Sequence, residues 1–256
     1  MTIPRAAALA VLGSAIAVAR CGGPTAPSSG PLPFASESAH YVYHYAAGDA
    51  VDAVWQETCY QWATARLGVR LPQKIAYFKY QNRVDMGNHT GHYDTNGYAD
   101  TGRLEIHTLW ACDNHEVVHL LMSRLGQSSA LFSEGVAVAF QTDPAIAVFE
   151  SRFNGEEVHH AARRYLQGGE LILPLDRIIE TSGFRAVSDT TLSYREAGSF
   201  VRFLIDEYGL DRFLAFYRSG VVPDDSNGAI KRYFQSAMGV AFDDAEAAWL
   251  TMLRAG

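Results

Sequence analysis

Basic residues are in short supply in this chain: 21 lysines and arginines face 28 aspartates and glutamates, for a formal net charge of −7 over 256 residues. A surface that neutralises phosphates or anionic lipid heads needs clustered cations, so nothing in the composition argues for nucleic acid as a partner. Long hydrophobic runs are missing too. The candidate, Ala6 to Ala19, is Ala- and Val-rich and uncharged, but it falls short of the roughly 20 apolar residues that span a bilayer. With Arg5 before it and Ala17-Val18-Ala19 as a small-x-small cleavage pattern, residues 1–20 read as a signal peptide.

Cysteine is scarce, with three in the chain. Cys21 follows the apolar run as the lipid acceptor of a bacterial lipoprotein does, yet Arg20 stands where such signals carry a small residue, so lipidation and plain secretion both stay open. Cys59 and Cys112 either pair in an oxidising compartment or remain as thiols. Internal repeats, long charge runs and a second linker are absent. Residues 21–33, nearly all Gly, Pro, Ser, Thr and Ala, read as a flexible tether, which leaves 34–256 as one folded unit whose 48% hydrophobic content suffices for a core. The acid pairs Asp224-Asp225 and Asp243-Asp244 lack calcium-loop spacing and read as a turn and a helix start.

What is present divides the unit in two. Residues 41–45 and 74–80 have strand character, 51–67 has helical spacing, 88–102 is a Gly-, Asn- and Asp-rich loop, and 103–110 alternates as a strand. A helix is expected over 114–125, with Asp113 or Asn114 as N-cap and Gly126 as its left-handed C-terminal residue. After Ser129 the pattern is helical at 130–141, 155–167, 194–208, 210–218, 229–238 and 243–253. Strands first and helices after make an α+β fold, with a cleft between the halves as the natural site.

The chemistry concentrates in the helix at 114–125. His115-Glu116-Val117-Val118-His119 places two imidazoles one turn apart on one helix face, with a glutamate between them. Two histidines can hold one zinc ion if a third protein ligand joins them, and an open fourth position then serves catalysis. Glu134 is the candidate, because it is the single carboxylate in the apolar run Leu131 to Phe140, and an unpaired buried carboxylate is costly. The turn at 126–129 can fold this second helix back on the first. Of the other histidines, His40, His44, His107, His159 and His160 read as surface or structural groups, whereas His89 and His92 lie in the loop that borders the cleft.

His-Glu-x-x-His followed by Ser133-Glu134-Gly135 and Ala137, with Tyr194 to Tyr208-Gly209 further on, resembles the gluzincin branch of the zincins, the thermolysin-like and aminopeptidase-like peptidases. The small bacterial peptidase-MA-like domains are similar, and the likeness spans roughly Arg103 to Gly220. The resemblance implies a zincin-like fold and one zinc ion per chain, with His115, His119 and Glu134 as ligands and Glu116 as general base. It also implies a peptide or protein substrate, an edge strand at 103–109 that pairs with the extended substrate backbone, and an oxyanion hydrogen bond from Tyr194. Ser193 and Glu196 have capping-box spacing, which starts a helix there and puts Tyr194 in its first turn on the inward stripe.

Two departures from the family are visible. The gap from His119 to Glu134 is shorter than in thermolysin, and no acidic residue follows Glu134 in its helix to orient a histidine. Asp113, Asp143 and Glu196 are the unranked candidates for that orienting role. Two other functions fit the same residues: an inactive zincin-fold binding protein, and a structural zinc site closed by Cys112, three residues before His115. The chain has no Gly-x-Met-Glu-Asn anchor for a free amine, which favours internal cleavage over aminopeptidase action. If Cys21 is acylated, the mature protein partitions with membranes and Cys21→Ser releases it; a soluble mature chain beginning at Arg20 means simple secretion.

Overall fold

The structure, a computed structural model, describes residues 32–142, 150–219 and 224–256; the signal-peptide reading, Cys21 and Asp143 lie outside them. Strands β1 (Phe34–Glu37) and β2 (Tyr41–Tyr45) pair antiparallel, and helix α1 (Ala53–Leu67) crosses to β3 (Ile75–Lys79), which runs parallel to β2. After helix α2 (Arg83–Thr90) come β4 (Gly97–Asp100) and β5 (Glu105–Thr108). The sheet order is β1-β2-β3-β5-β4, with β5 parallel to β3 and β4 antiparallel along β5.

Alternation decides which way this sheet faces. Tyr41, Tyr43, Ile75, Tyr77 and Ile106 are fully buried, and they share one hydrophobic core with Val117, Leu120 and Leu121. On the opposite face His44, Phe78, His107 and Tyr98 occupy paired positions on four adjacent strands. Their rings follow one another at 4.6, 4.9 and 6.2 Å. His44 and His107 are therefore packing residues of the sheet.

Helix α3 (Asn114–Met122) is fixed at its first residue. The Asp113 carboxylate caps it, accepting from the Glu116 amide at 3.2 Å and from the Thr108 hydroxyl at 2.7 Å. Gln56 of α1 grips the Asp113 backbone from the other side, accepting its N–H at 2.8 Å and donating to its carbonyl at 3.1 Å. Gly126, at φ 147°, ends the following turn and donates to the Met122 carbonyl.

The rest is mainly helical. Helix α4 (Ala130–Ala139) is apolar on nearly every face and almost wholly buried, as a central helix must be. A hairpin of β6 (Arg152–Phe153) and β7 (Glu156–Glu157) leads to helix α5 (Val158–Gly168). A 3-10 turn at Leu175–Arg177 and the short helix α6 (Thr181–Arg185) follow. Helices α7 (Thr190–Tyr208), α8 (Leu210–Arg218), α9 (Asn227–Met238) and α10 (Phe242–Ala255) complete the chain. Phe132 of α4 meets Phe216 at 4.6 Å, and Phe200 of α7 meets Trp249 at 5.5 Å, both edge to face. Among the described residues no helix is long and apolar enough to cross a membrane.

The mixed architecture expected from the sequence is present, with local corrections; α3 ends at Met122 with Ser123 as its cap, not at 125 with a left-handed Gly126. The strand expected at 103–110 forms as β5 but lies inside the sheet; the edge is β4. The loop expected at 88–102 contains β4 and the end of α2, because Gly97-Tyr98-Ala99-Asp100 becomes a strand by pairing with β5 rather than by its own propensity. Helix α7 starts at Thr190, not at Tyr194: Asp189 caps it by accepting from the Leu192 amide at 3.0 Å. Ser193 and Glu196 are buried inside that helix instead of capping it.

Helices α4 and α7 pack glycine to side chain. A Cβ on Gly135 would sit 2.5 Å from Val201 and 2.8 Å from the Ala197 carbonyl, and one on Gly198 would collide with Val138. Gly198→Ala is therefore expected to destabilise the fold by about 1–3 kcal/mol, the usual cost of overpacking, in urea denaturation of metal-free protein. A midpoint equal to the parent's would show that this contact yields without cost.

Candidate metal centre and active site

Helices α3 and α4 bring three ligand atoms to one point. His115 Nε2 and His119 Nε2 are 3.1 Å apart, and each is 3.2 Å from Glu134 Oε2. Zinc–ligand bonds of about 2.0–2.1 Å in a tetrahedron put neighbouring ligand atoms about 3.3 Å apart, so the three residues fit a zinc ion with little movement. Among the described residues this is the one group of three or more metal-binding side chains, and it leaves out Cys112. That thiol lies toward Cys59 of α1, which, with burial, pushes its pKa up. Both cysteines are free. A structural site closed by Cys112 thus finds no support in the geometry.

Glu134 is buried, 5% exposed. Burial opposes its charge, but the two histidines overcome this and hold its pKa well below the ordinary value. The same balance acts on His115, where burial lowers the pKa while the Glu134 bond and the nearby carboxylates raise it to about 9.

Of the three orienting candidates, the two within the described residues, Asp113 and Glu196, do not hold a histidine. Asp113 is occupied as the α3 cap, Glu196 turns away to accept from the Ile172 amide at 3.1 Å, and Asp143 is outside the described residues. Gln141, just past α4, does the work. Its side-chain oxygen lies 3.0 Å from His115 Nδ1, so Nδ1–H donates to it and Nε2 is the ring nitrogen turned to Glu134. Gln141 follows Glu134 by seven residues, two helical turns, and that spacing is the signal by which the sequence could have revealed it.

Glu116 is buried beside the triad. Burial and then the Asp113 charge raise its pKa to about 7, against the opposing pull of His119 and His115. Room for its carboxylate comes from Gly97 on the edge strand, where a Cβ would lie 2.7 Å from Glu116 Oε1. Tyr194 approaches from α7, its ring 5.9 Å from that of His115 and 5.4 Å from that of Phe153. Burial pushes its phenol pKa up. Arg185 of α6, which no sequence pattern pointed to, reaches both Glu134 and Tyr194.

These residues line a cleft of about 1060 Å³ whose walls include β4 on one side and Arg185 and Tyr194 on the other. Of the loop histidines, His92 lines it as expected.

Replacing Gln141 by alanine should weaken zinc binding by about 10–100-fold, the usual effect of losing a histidine's orienting partner, as read by chelator competition. Unchanged affinity would show that His115 needs no such partner. Compared with known proteins, the chain matches no family model, no curated protein and no solved structure.

Proposed function

We propose that this chain is a single-zinc peptidase of the gluzincin kind, with a zincin-like fold, that cleaves internal bonds of a peptide or protein substrate. The observation that carries the reading is the spacing of 3.1–3.2 Å among His115 Nε2, His119 Nε2 and Glu134 Oε2, next to a carboxylate that is not one of the three. Its place of action is outside the cytoplasm, secreted or lipid-anchored through Cys21, on the strength of the N-terminal sequence pattern alone.

His115, His119 and Glu134 would hold a zinc ion, which would supply a Lewis acid and lower the pKa of a water molecule to about 7. Glu116 accepts the proton from that water as it attacks the scissile carbonyl, then delivers it to the leaving amine. Its raised pKa suits a group that must take and return a proton near neutrality. The free edge of β4 holds the substrate backbone in an extended form by strand addition, and Gly97 lets the base sit directly against that edge. Tyr194 donates a hydrogen bond to the oxyanion that develops on the carbonyl.

Zinc content and peptide hydrolysis, measured together, separate this reading from its rivals. Glu116→Gln is expected to keep one zinc per chain and lose hydrolysis, whereas His115→Ala, His119→Ala and Glu134→Ala each lose the metal. Tyr194→Phe should keep zinc and fold while kcat falls about 10²-fold. A zinc-loaded parent that hydrolyses no peptide would make the chain a binding protein, and stoichiometric zinc in Glu134→Ala would place the third ligand elsewhere.

A further inference from the structure

Arg185 stands at the one place where the third ligand and the proposed oxyanion donor can be reached together. Its Nη2 donates to Glu134 Oε1 at 2.5 Å, and its Nη1 donates to the Tyr194 hydroxyl oxygen at 3.1 Å. The two carboxylate oxygens of Glu134 are thereby divided. Oε2 faces the histidines, and Oε1 is held by the guanidinium. A hydroxyl has one proton and two acceptor lone pairs. When Arg185 fills one lone pair of Tyr194, the phenol proton is left to point elsewhere, and the ring lies beside His115 and Phe153, which line the cleft with it.

We propose that Arg185 is the positioning residue of this site: one planar fork presents Glu134 to the metal through a single oxygen and turns the Tyr194 hydroxyl toward the substrate carbonyl. The inference rests on the peptidase reading for its second half and on the metal triad alone for its first. Position supports it further. Arg185 closes the five-residue helix α6, and its side chain is 53% exposed. It lines the cleft wall rather than serving as a packing element of the core. A salt bridge made for stability alone would contribute little at such exposure. A lysine can pair with Glu134 but cannot also orient Tyr194, because its ammonium is a point donor without the fork that serves two acceptors in one plane.

The test uses the full chain in four forms: parent, Arg185→Ala, Arg185→Lys and Arg185→Ala/Tyr194→Phe, each checked for folding by thermal melting. Zinc affinity by chelator competition needs no catalysis, and it should fall about 10–100-fold in Arg185→Ala and recover in Arg185→Lys, whose charge still pairs with Glu134. Hydrolysis at saturating zinc should lose about 10²-fold in kcat, with KM little changed, in Arg185→Ala and also in Arg185→Lys. The double variant should be no slower than Arg185→Ala, because both substitutions remove the same hydrogen bond to the oxyanion. Parent-like zinc affinity in Arg185→Ala overturns the hold on Glu134. Multiplying losses in the double variant, or full kcat in Arg185→Lys, overturn the orientation of Tyr194. A parent that binds zinc without hydrolysis would end the peptidase reading and with it the second half, while the zinc arm still decides the first.

Discussion

A carboxylate buried in an apolar helix is the constraint on which the rest of this molecule depends. An ionised glutamate enclosed without partners costs several kcal/mol, yet Glu134 lies in the middle of α4, whose other residues are almost all hydrophobic. Its charge is met by His115 and His119 from α3 and by Arg185 from α6. Those partners fit only if α4 lies tightly between α3 and α7. Gly135, next to the carboxylate, and Gly198 on α7 remove the side chains that would hold the helices apart. Packing in the helical half and charge pairing at the site are thus one arrangement, because loosening the first withdraws Glu134 from the second.

The two halves contribute different chemistry. From the sheet side come the capped start of α3, the histidines and Glu116, with β4 as the rim. The helical side supplies Glu134, Gln141, Tyr194 and Arg185. The chain of contacts from Gln56 through Asp113 to Thr108 ties the first set to the sheet, and it fixes Glu116 against Gly97 at the strand edge. Glu116 and β4 thus stand on one side of the cleft, and Tyr194 and Arg185 on the other.

The legible part of this structure was the part written in local pattern. His115, Glu116 and His119 share a helix face by spacing alone, and Glu134 stood out because an apolar run has no other use for a carboxylate. Helix α8 has the bounds its periodicity indicates, 210–218. Contributions that exist only in three dimensions were hidden. Arg185 lies 51 residues from Glu134 in sequence, on a helix too short to leave a periodic signal. Strand β4 carries the composition of a loop, and its neighbour β5 supplies the pairing that makes it a strand. The Ser193–Glu196 spacing misled for a related reason: both side chains are buried by tertiary packing, and Asp189 caps the helix one turn earlier.

The central claim, that two imidazoles and one carboxylate hold a single catalytic zinc, is open to direct measurement by X-ray absorption at the zinc edge on the loaded protein. The account predicts a first shell of nitrogen and oxygen scatterers at about 2.0–2.2 Å, two of them imidazole, with a place left for water. A sulfur scatterer at about 2.3 Å, or a shell filled by four protein ligands, would contradict it.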